Sequence, residues 1–242
     1  MSKTAYSIIA KHFFESSKME HVFAHVFLVL DWNLMKRAEN CVNAQINHIY
    51  FQDDSILFQF AKSKGHQTGE EHVGPWHVYA NPDEPHLCAM LALARYLFCF
   101  PEAMKPNTKL FEGTNQYVRY SKLFHEGVIA CWSLLSRLGY KEGNFGTHLC
   151  RKGVATMVSS GCTVSPPMVS ICIRTGWVMG GVKDRYLKYE SAGDQYVGQC
   201  ATGKNPLSKR FAISCPYFDF SHYDNESEQL SVRTEITSWL SD

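Results

Sequence analysis

The chain lacks a long apolar run, a surplus of either charge, and the features of a secretory leader. Across 242 residues, lysine and arginine exceed aspartate and glutamate by only one. No apolar run, including the one at residues 26–30, approaches the roughly 20 residues that span a bilayer, so we predict no membrane partner. The first residues lack the charged start, apolar middle and cleavage site of a signal peptide. We therefore expect an intracellular protein, nuclear if its source is eukaryotic.

The cysteines also lack a pattern that would give them chemistry. Their number, nine, is odd, and no two of them are spaced as C-x-x-C. Disulfide frameworks use paired cysteines, and structural zinc sites use short paired spacings of cysteine and histidine. We predict reduced cysteines in the core, no metal site and no cofactor. An apolar fraction of 45% is ordinary for a folded soluble protein.

The hydrophobic pattern changes its period along the chain, from helical to alternating and back. An apolar stretch at helical spacing comes first, and a hairpin pattern with a third strand follows it. We predict helices over residues 19–33, 36–44, 87–98 and 116–138, one that carries His148 and Arg151, and one that ends near residue 176. The predicted strands are residues 48–51, 56–61 and 76–79. This order indicates an α+β fold that is mainly helical, with a small three-stranded antiparallel sheet.

Positive charge is concentrated in one segment although the whole chain is nearly neutral. Residues 119–189 contain ten lysine or arginine residues and three acidic ones, whereas residues 190–242 contain four basic and eight acidic residues. A basic segment of this kind is typical of a surface that binds a polyanion. A solvated positive face is the alternative explanation.

Four residues of the basic segment combine side chains that suit phosphate chemistry. His148 and Arg151 are three positions apart and share one face of a helix. Trp177 follows Gly176 at a turn, and Tyr186 comes nine residues after Trp177. Together they supply a general acid or base, a guanidinium fork, an N–H donor and a phenol nucleophile. This set predicts attack of a tyrosine oxygen on a phosphodiester.

The first half of the chain offers two further cations for the same reaction. Arg37 follows the first apolar helix, where its guanidinium can bind a phosphate with two donors. Lys64 lies in a polar, glycine-bearing loop between the second and third predicted strands, and Lys62 competes with it for the same role. Each of these residues alone would more often be a solvated surface residue.

The order Arg37, Lys64, His148 with Arg151, Trp177 and Tyr186 resembles the tyrosine recombinases, the family with the phage-integrase-type catalytic domain. Within that family the chain looks most similar to the recombinases of Crypton-type eukaryotic mobile elements. The resemblance covers about residues 22–197. It implies a catalytic domain over residues 1–200, without the N-terminal DNA-clamp domain of the family, and an acidic tail over residues 201–242 that includes a candidate docking helix.

The resemblance also implies the reaction, which is DNA strand cleavage and rejoining through a 3′-phosphotyrosyl intermediate, without metal. Arg37 and Arg151 would bind the phosphate and Trp177 would donate an N–H to it. His148 would accept the proton of Tyr186, and Lys64 would protonate the leaving 5′-oxygen. The implied partners are double-stranded DNA and further copies of the chain, from dimer to tetramer. The predicted DNA-binding side chains are Lys62, Lys64, Lys152, Arg174, Lys183 and Arg185.

The chain departs from the family pattern at two places, and three other functions stay open. Asn40 stands where the family often has an acid, and Tyr189 is a rival to Tyr186 as the nucleophile. The main alternative is a truncated or domesticated recombinase fold that binds DNA without cutting it. A type IB topoisomerase would use related chemistry as a monomer. A structural helical protein in which the pattern is a coincidence is the last alternative.

Overall fold

The computed structural model describes residues 1–52, 54–59, 74–105, 108–141, 143, 145–146, 148–161, 164–177, 189–203 and 206–207. Within these residues the chain is mainly helical, with one antiparallel sheet of three strands. This confirms the α+β class that the change of hydrophobic period predicts. No helix in these ranges combines the length and the apolar character that a membrane crossing requires.

The segments follow the order that the sequence pattern predicts, with helices first, then the three strands, then further helices. Short 3-10 turns connect them at Ile46–His48, Pro85–Leu87 and Pro101–Met104. The strands are β1 (Ile49–Gln52), β2 (Ser55–Phe58) and β3 (Trp76–Tyr79). The helices are α1 (Lys3–Phe14), α2 (Met19–Leu34), α3 (Ala38–Val42), α4 (Ala89–Cys99), α5 (Gln116–Ala130), α6 (Trp132–Arg137), α7 (Leu149–Ser160), α8 (Met168–Thr175) and α9 (Ser191–Ala201).

Helix α2 forms the centre of the hydrophobic core. Every residue from Val22 to Leu34 is buried, because apolar side chains, interrupted by three polar ones, lie on all sides of the helix. Helices α1, α4, α5 and α7 pack against it. Trp32 stacks on Tyr6 of α1 at a ring-centroid distance of 4.2 Å, and its other contacts include Gly153 of α7. The end of α2 is therefore fixed relative to the start of α7.

The sheet lies beside this core with its strands in chain order. Strand β2 is the middle strand and pairs antiparallel with both neighbours, so that Tyr50 is opposite Leu57 and Ile56 is opposite Val78. Strands β2 and β3 are buried, whereas β1 exposes most of its side chains. The predicted hairpin and third strand are confirmed, and the loop with Lys62 and Lys64 lies outside the described residues.

Three features of the helices differ from the predictions. The helix predicted over residues 116–138 is divided into α5 and α6 at Cys131, whose φ and ψ of −92° and 5° interrupt the helical ladder. Helix α1 was not predicted, although Ser2 caps it and its apolar residues are buried at helical spacing. Helix α9 was not predicted either. It packs so closely on β3 that a Cβ at Gly198 would meet the carbonyl oxygen of His77.

Candidate functional site

A surface cavity of about 410 Å³ brings together residues from distant parts of the chain. Four of the six predicted catalytic residues line it, and they come from the start of α3, the start of α7 and the end of α8. The lining residues are Arg37, Ala38, Tyr117, His148, Arg151, Lys152 and Trp177. No carboxylate is among them, so within the described residues the cavity wall is cationic and suits an anionic ligand.

Arg37 reaches the cavity because the chain reverses sharply after α2. Met35 adopts left-handed φ and ψ angles of 56° and 22°, which a residue other than glycine adopts at a cost of roughly 1 kcal/mol. After this reversal Lys36 is directed into the protein and Arg37 is exposed at the N-terminus of α3. The carbonyl of Arg37 accepts a hydrogen bond from Asn40 at 2.8 Å, which begins that helix.

His148 and Arg151 enter the cavity from the first turn of α7. His148 is the exposed N-terminal flanking residue of this helix, and the buried face opposite it includes Val154 and Val158. The spacing of three residues places His148 and Arg151 on the same side, as predicted from the sequence. The positive end of the helix dipole adds to the attraction for an anion.

The guanidinium of Arg151 is held on the wall of the cavity. Its Nη2 donates a hydrogen bond to the carbonyl oxygen of Thr175, and its Cζ lies 5.8 Å from the centre of the Trp177 ring. Burial lowers the pKa of Arg151, the charge of Arg37 lowers it further, and Asp31 acts in the opposite direction. Two guanidinium groups that repel each other in one cavity indicate a site that an anion would stabilise.

Trp177 is exposed because of the turn that ends α8. Gly176 has a left-handed φ of 69°, a conformation that favours glycine. The N–H of Trp177 donates to the carbonyl of Cys172 at 2.9 Å, and that of Gly176 donates to Ile173 at 3.1 Å, which is the Schellman pattern. The Trp177 side chain remains 42% exposed, so it is a presented residue and not a core residue.

Arg174 has a structural role, and the predicted DNA contact for this residue is wrong. Its side chain is fully buried and donates to Asp194 Oδ1 at 2.7 Å, to the Asn33 carbonyl at 2.9 Å and to the His77 carbonyl at 2.8 Å. Burial raises the pKa of Asp194, but Arg174 and His77 outweigh it and hold that pKa below its ordinary value. Arg174 therefore ties the end of α8 to α2, β3 and α9, and it fixes the position of Trp177.

Tyr189, the rival nucleophile, is occupied by a structural contact. Its hydroxyl donates to the carbonyl of Pro75 at 2.8 Å, and its ring lies directly against Gly74. Burial raises the pKa of Tyr189 to about 12, which disfavours the phenolate that attacks a phosphate. Tyr186 itself lies outside the described residues.

The other predicted DNA-binding residues are placed only in part. Lys152 is exposed and lines the cavity, where its ammonium can meet a DNA backbone. Lys62, Lys64, Lys183 and Arg185 lie outside the described residues. The described ranges contain seven cysteines, which are buried or half-buried. No cluster of three or more metal-ligating side chains occurs in these ranges.

Sequence reasoning missed Lys36, which lies behind the cavity. The side chain is buried, and its Nζ is 3.7 Å from the centre of the Trp76 ring. Burial, together with the charges of Arg174 and Arg151, lowers the pKa of Lys36 to about 7. Its position next to Arg37 was the available signal, but the reversal at Met35 that directs it inward has no sequence pattern.

Replacing Lys36 with methionine is expected to increase the free energy of unfolding by about 1–3 kcal/mol at pH 7, because a costly buried amine is removed. The lysine pKa is lower in the folded state, so the natural protein gains stability as the pH rises from about 7 towards 10.5. The stability advantage of Lys36→Met over the natural protein should therefore shrink over that range. Urea unfolding of both proteins at several pH values measures this difference in free energy. The exposed Lys122→Met is the control, and equal behaviour of the two variants would contradict the assignment.

No protein-family model, curated protein or solved structure matches the chain.

Proposed function

We propose that the chain cleaves and rejoins DNA strands through a covalent 3′-phosphotyrosyl intermediate, as a tyrosine-type recombinase or integrase. One observation carries the proposal: Arg37, His148, Arg151 and Trp177 line a single cavity with a cationic wall. They come from three segments of the chain, so only the pairing of His148 with Arg151 has a local cause. A coincidental pattern would not require these four side chains to meet.

The two arginines supply the electrostatic part of the mechanism. During attack, negative charge builds on the non-bridging oxygens of the scissile phosphate. Arg37 and Arg151 donate to these oxygens, and guanidinium forks suit this geometry better than ammonium groups. The indole N–H of Trp177, beside Arg151, supplies a neutral donor to the same phosphate.

The proton transfers are assigned to three other residues. The Oη of Tyr186 attacks phosphorus as His148 accepts its proton, and a bond forms between tyrosine and the 3′-phosphate. The P–O5′ bond breaks, and Lys64 gives a proton to the leaving 5′-oxygen. The reverse steps rejoin a 5′-hydroxyl to the phosphate. The bond energy is conserved in the intermediate, so no nucleotide cofactor enters the scheme.

The substrate class follows from charge. Four of the seven lining residues belong to the segment with the basic excess, and one of these, Lys152, adds an exposed ammonium to the cavity wall. Phosphate contacts by such groups give binding that weakens steeply with salt. Exchange of strands between two duplexes requires more than one active site, so we include a homo-oligomer of two to four copies on DNA in the proposal.

The experiment uses nicked, labelled duplexes of mixed sequence, which trap the intermediate because the cleaved fragment diffuses away. The natural chain should give an SDS-resistant protein–DNA adduct. Tyr186→Phe should abolish it, whereas Tyr189→Phe, which removes one hydrogen bond worth about 1 kcal/mol, should retain it. An adduct that still forms with Tyr186→Phe would refute the assignment of Tyr186 as the nucleophile. Salt-sensitive binding with no adduct from any version would refute the enzyme and favour the non-cutting DNA-binding module.

A further inference from the structure

Asp31 is an acid in the core that the proposed reaction does not yet use. It lies near the end of α2, its side chain is buried, and neither carboxyl oxygen makes a hydrogen bond of normal geometry within the described residues. Keeping a charged carboxylate in such a place costs several kcal/mol unless a cation lies near it. An apolar residue would fill the same space without this cost.

Within the described residues, the ionisable groups that interact electrostatically with Asp31 come from four helices, and one of them is a cation. Arg151 is that cation, and the others are neutral phenols and thiols. They are Tyr6 of α1, Cys41 of α3, Tyr120 of α5 and Cys150 of α7. Burial raises the pKa of Asp31 to about 7, while Cys150 and Arg151 lower it in part.

Arg151 has an unused donor that matches this acid. Its Nε–H is buried without a hydrogen-bond partner among the described residues, while its Nη2 is bound to the Thr175 carbonyl. The Nη1 group is then left for a ligand in the cavity. A buried donor and a buried acceptor of opposite charge, each without a normal hydrogen bond, complement one another.

We propose that Asp31 is a positioning residue that orients the guanidinium of Arg151 towards an anion in the cavity. The ionised carboxylate attracts the Nε side of the guanidinium, so that the Nη side faces the phosphate. The inference deepens the proposed function and rests on it for the nature of the phosphate. Protonation of Asp31 removes the attraction, so the site binds anions more weakly on the acid side of neutrality.

This role predicts opposite effects of Asp31→Asn on stability and on activity. The pKa of Asp31 is raised in the folded state, so the natural protein loses stability as the pH rises from about 4 to about 7. Asp31→Asn removes that loss and should be the more stable protein at pH 8. Its adduct formation at pH 8 should nevertheless fall about tenfold, the effect expected for one interaction with a charged group. If Asp31 had a purely structural role, its replacement would not raise stability while lowering activity.

The test compares the natural chain, Asp31→Asn and the control His25→Gln at pH 6 and pH 8. His25 is also buried on α2, where its Nε2 is hydrogen-bonded to the His86 carbonyl, away from the cavity. Rates of adduct formation are measured together with stabilisation by sulfate, whose charge is constant over this range. In both readouts, the value for the natural chain divided by the value for Asp31→Asn should rise from about one at pH 6 to about ten at pH 8. The corresponding ratio for His25→Gln should not change.

The outcomes separate the two proposals. Equal ratios at both pH values, in either readout, would overturn the role of Asp31. Sulfate binding that depends on Asp31, in a natural chain that forms no adduct, would support the positioning role and refute the proposed function. An adduct that forms equally well in Asp31→Asn at both pH values would support the function and overturn the positioning role.

Discussion

Replacing Arg151 with alanine is expected to reduce the rate of adduct formation by about 10³-fold or more. Removing one neutral oxyanion donor costs roughly 10²–10³ in rate, and Arg151 supplies a full charge as well as its donors. Arg151→Lys should recover little of this loss, because an ammonium cannot reproduce the fork or its contact with the Thr175 carbonyl. Single-turnover cleavage of nicked duplexes at saturating protein measures the rate.

Lys152→Ala is the matched control for this prediction. Lys152 is the next residue on α7 and lines the same cavity, but it is exposed. The Lys152→Ala change should weaken DNA binding and lower its salt dependence by about one counterion. The rate of adduct formation at saturating protein should change little. Similar losses of rate in Arg151→Ala and Lys152→Ala would mean that the cavity binds DNA without stabilising a transition state.

The second large effect is expected on stability, from Asp194→Ala. This change leaves Arg174 charged and buried without its partner, which typically costs 3–5 kcal/mol. The midpoint of urea unfolding measures the loss. Glu84→Ala is the control, because it removes an ion pair of similar length, 2.8 Å to Lys3, in which each side chain is 35% exposed. The control should lose less than about 1 kcal/mol.

The comparison of these two ion pairs tests the structural role given to Arg174. If Asp194→Ala and Glu84→Ala unfold at the same urea concentration, Arg174 does not hold α8 in place. If Asp194→Ala folds at low temperature, its Trp177 should be displaced, because the end of α8 has lost its anchor. Fluorescence of the protein should then respond less to sulfate than it does in the natural chain.

Much of the fold follows from local pattern, because hydrophobic period is a local property. Helix α2 and strand β3 occur where the apolar spacing predicts them. The break at Cys131 was not predicted, because the apolar stripe continues across it. Helix α1 has a serine cap and helical apolar spacing, so its signal is present in the sequence.

Some features of the candidate site also follow from local pattern, and others depend on contacts between distant segments. The spacing of His148 and Arg151 predicts a shared face, and the glycine before Trp177 predicts a turn, because both depend on neighbours in the chain. The burial of Lys36 and Arg174 depends on contacts between distant segments, so no sequence pattern places Lys36 behind the cavity and the charge of Arg174 suggests DNA binding. Asp31 was missed for the same reason, since only the packing of α7 on α2 brings it near Arg151.

The most direct test of the central claim is to identify the residue that carries the DNA. Trypsin cleaves after Arg185, Lys188 and Lys204, so Tyr186 and Tyr189 fall in different peptides. The adduct is digested with nuclease and trypsin and is read by mass spectrometry. We predict a 3′-nucleotide phosphate on the Tyr186 peptide, and a free 5′-hydroxyl on the other DNA end. The phosphate on the Tyr189 peptide, or a 5′-phosphate linkage, would contradict the account.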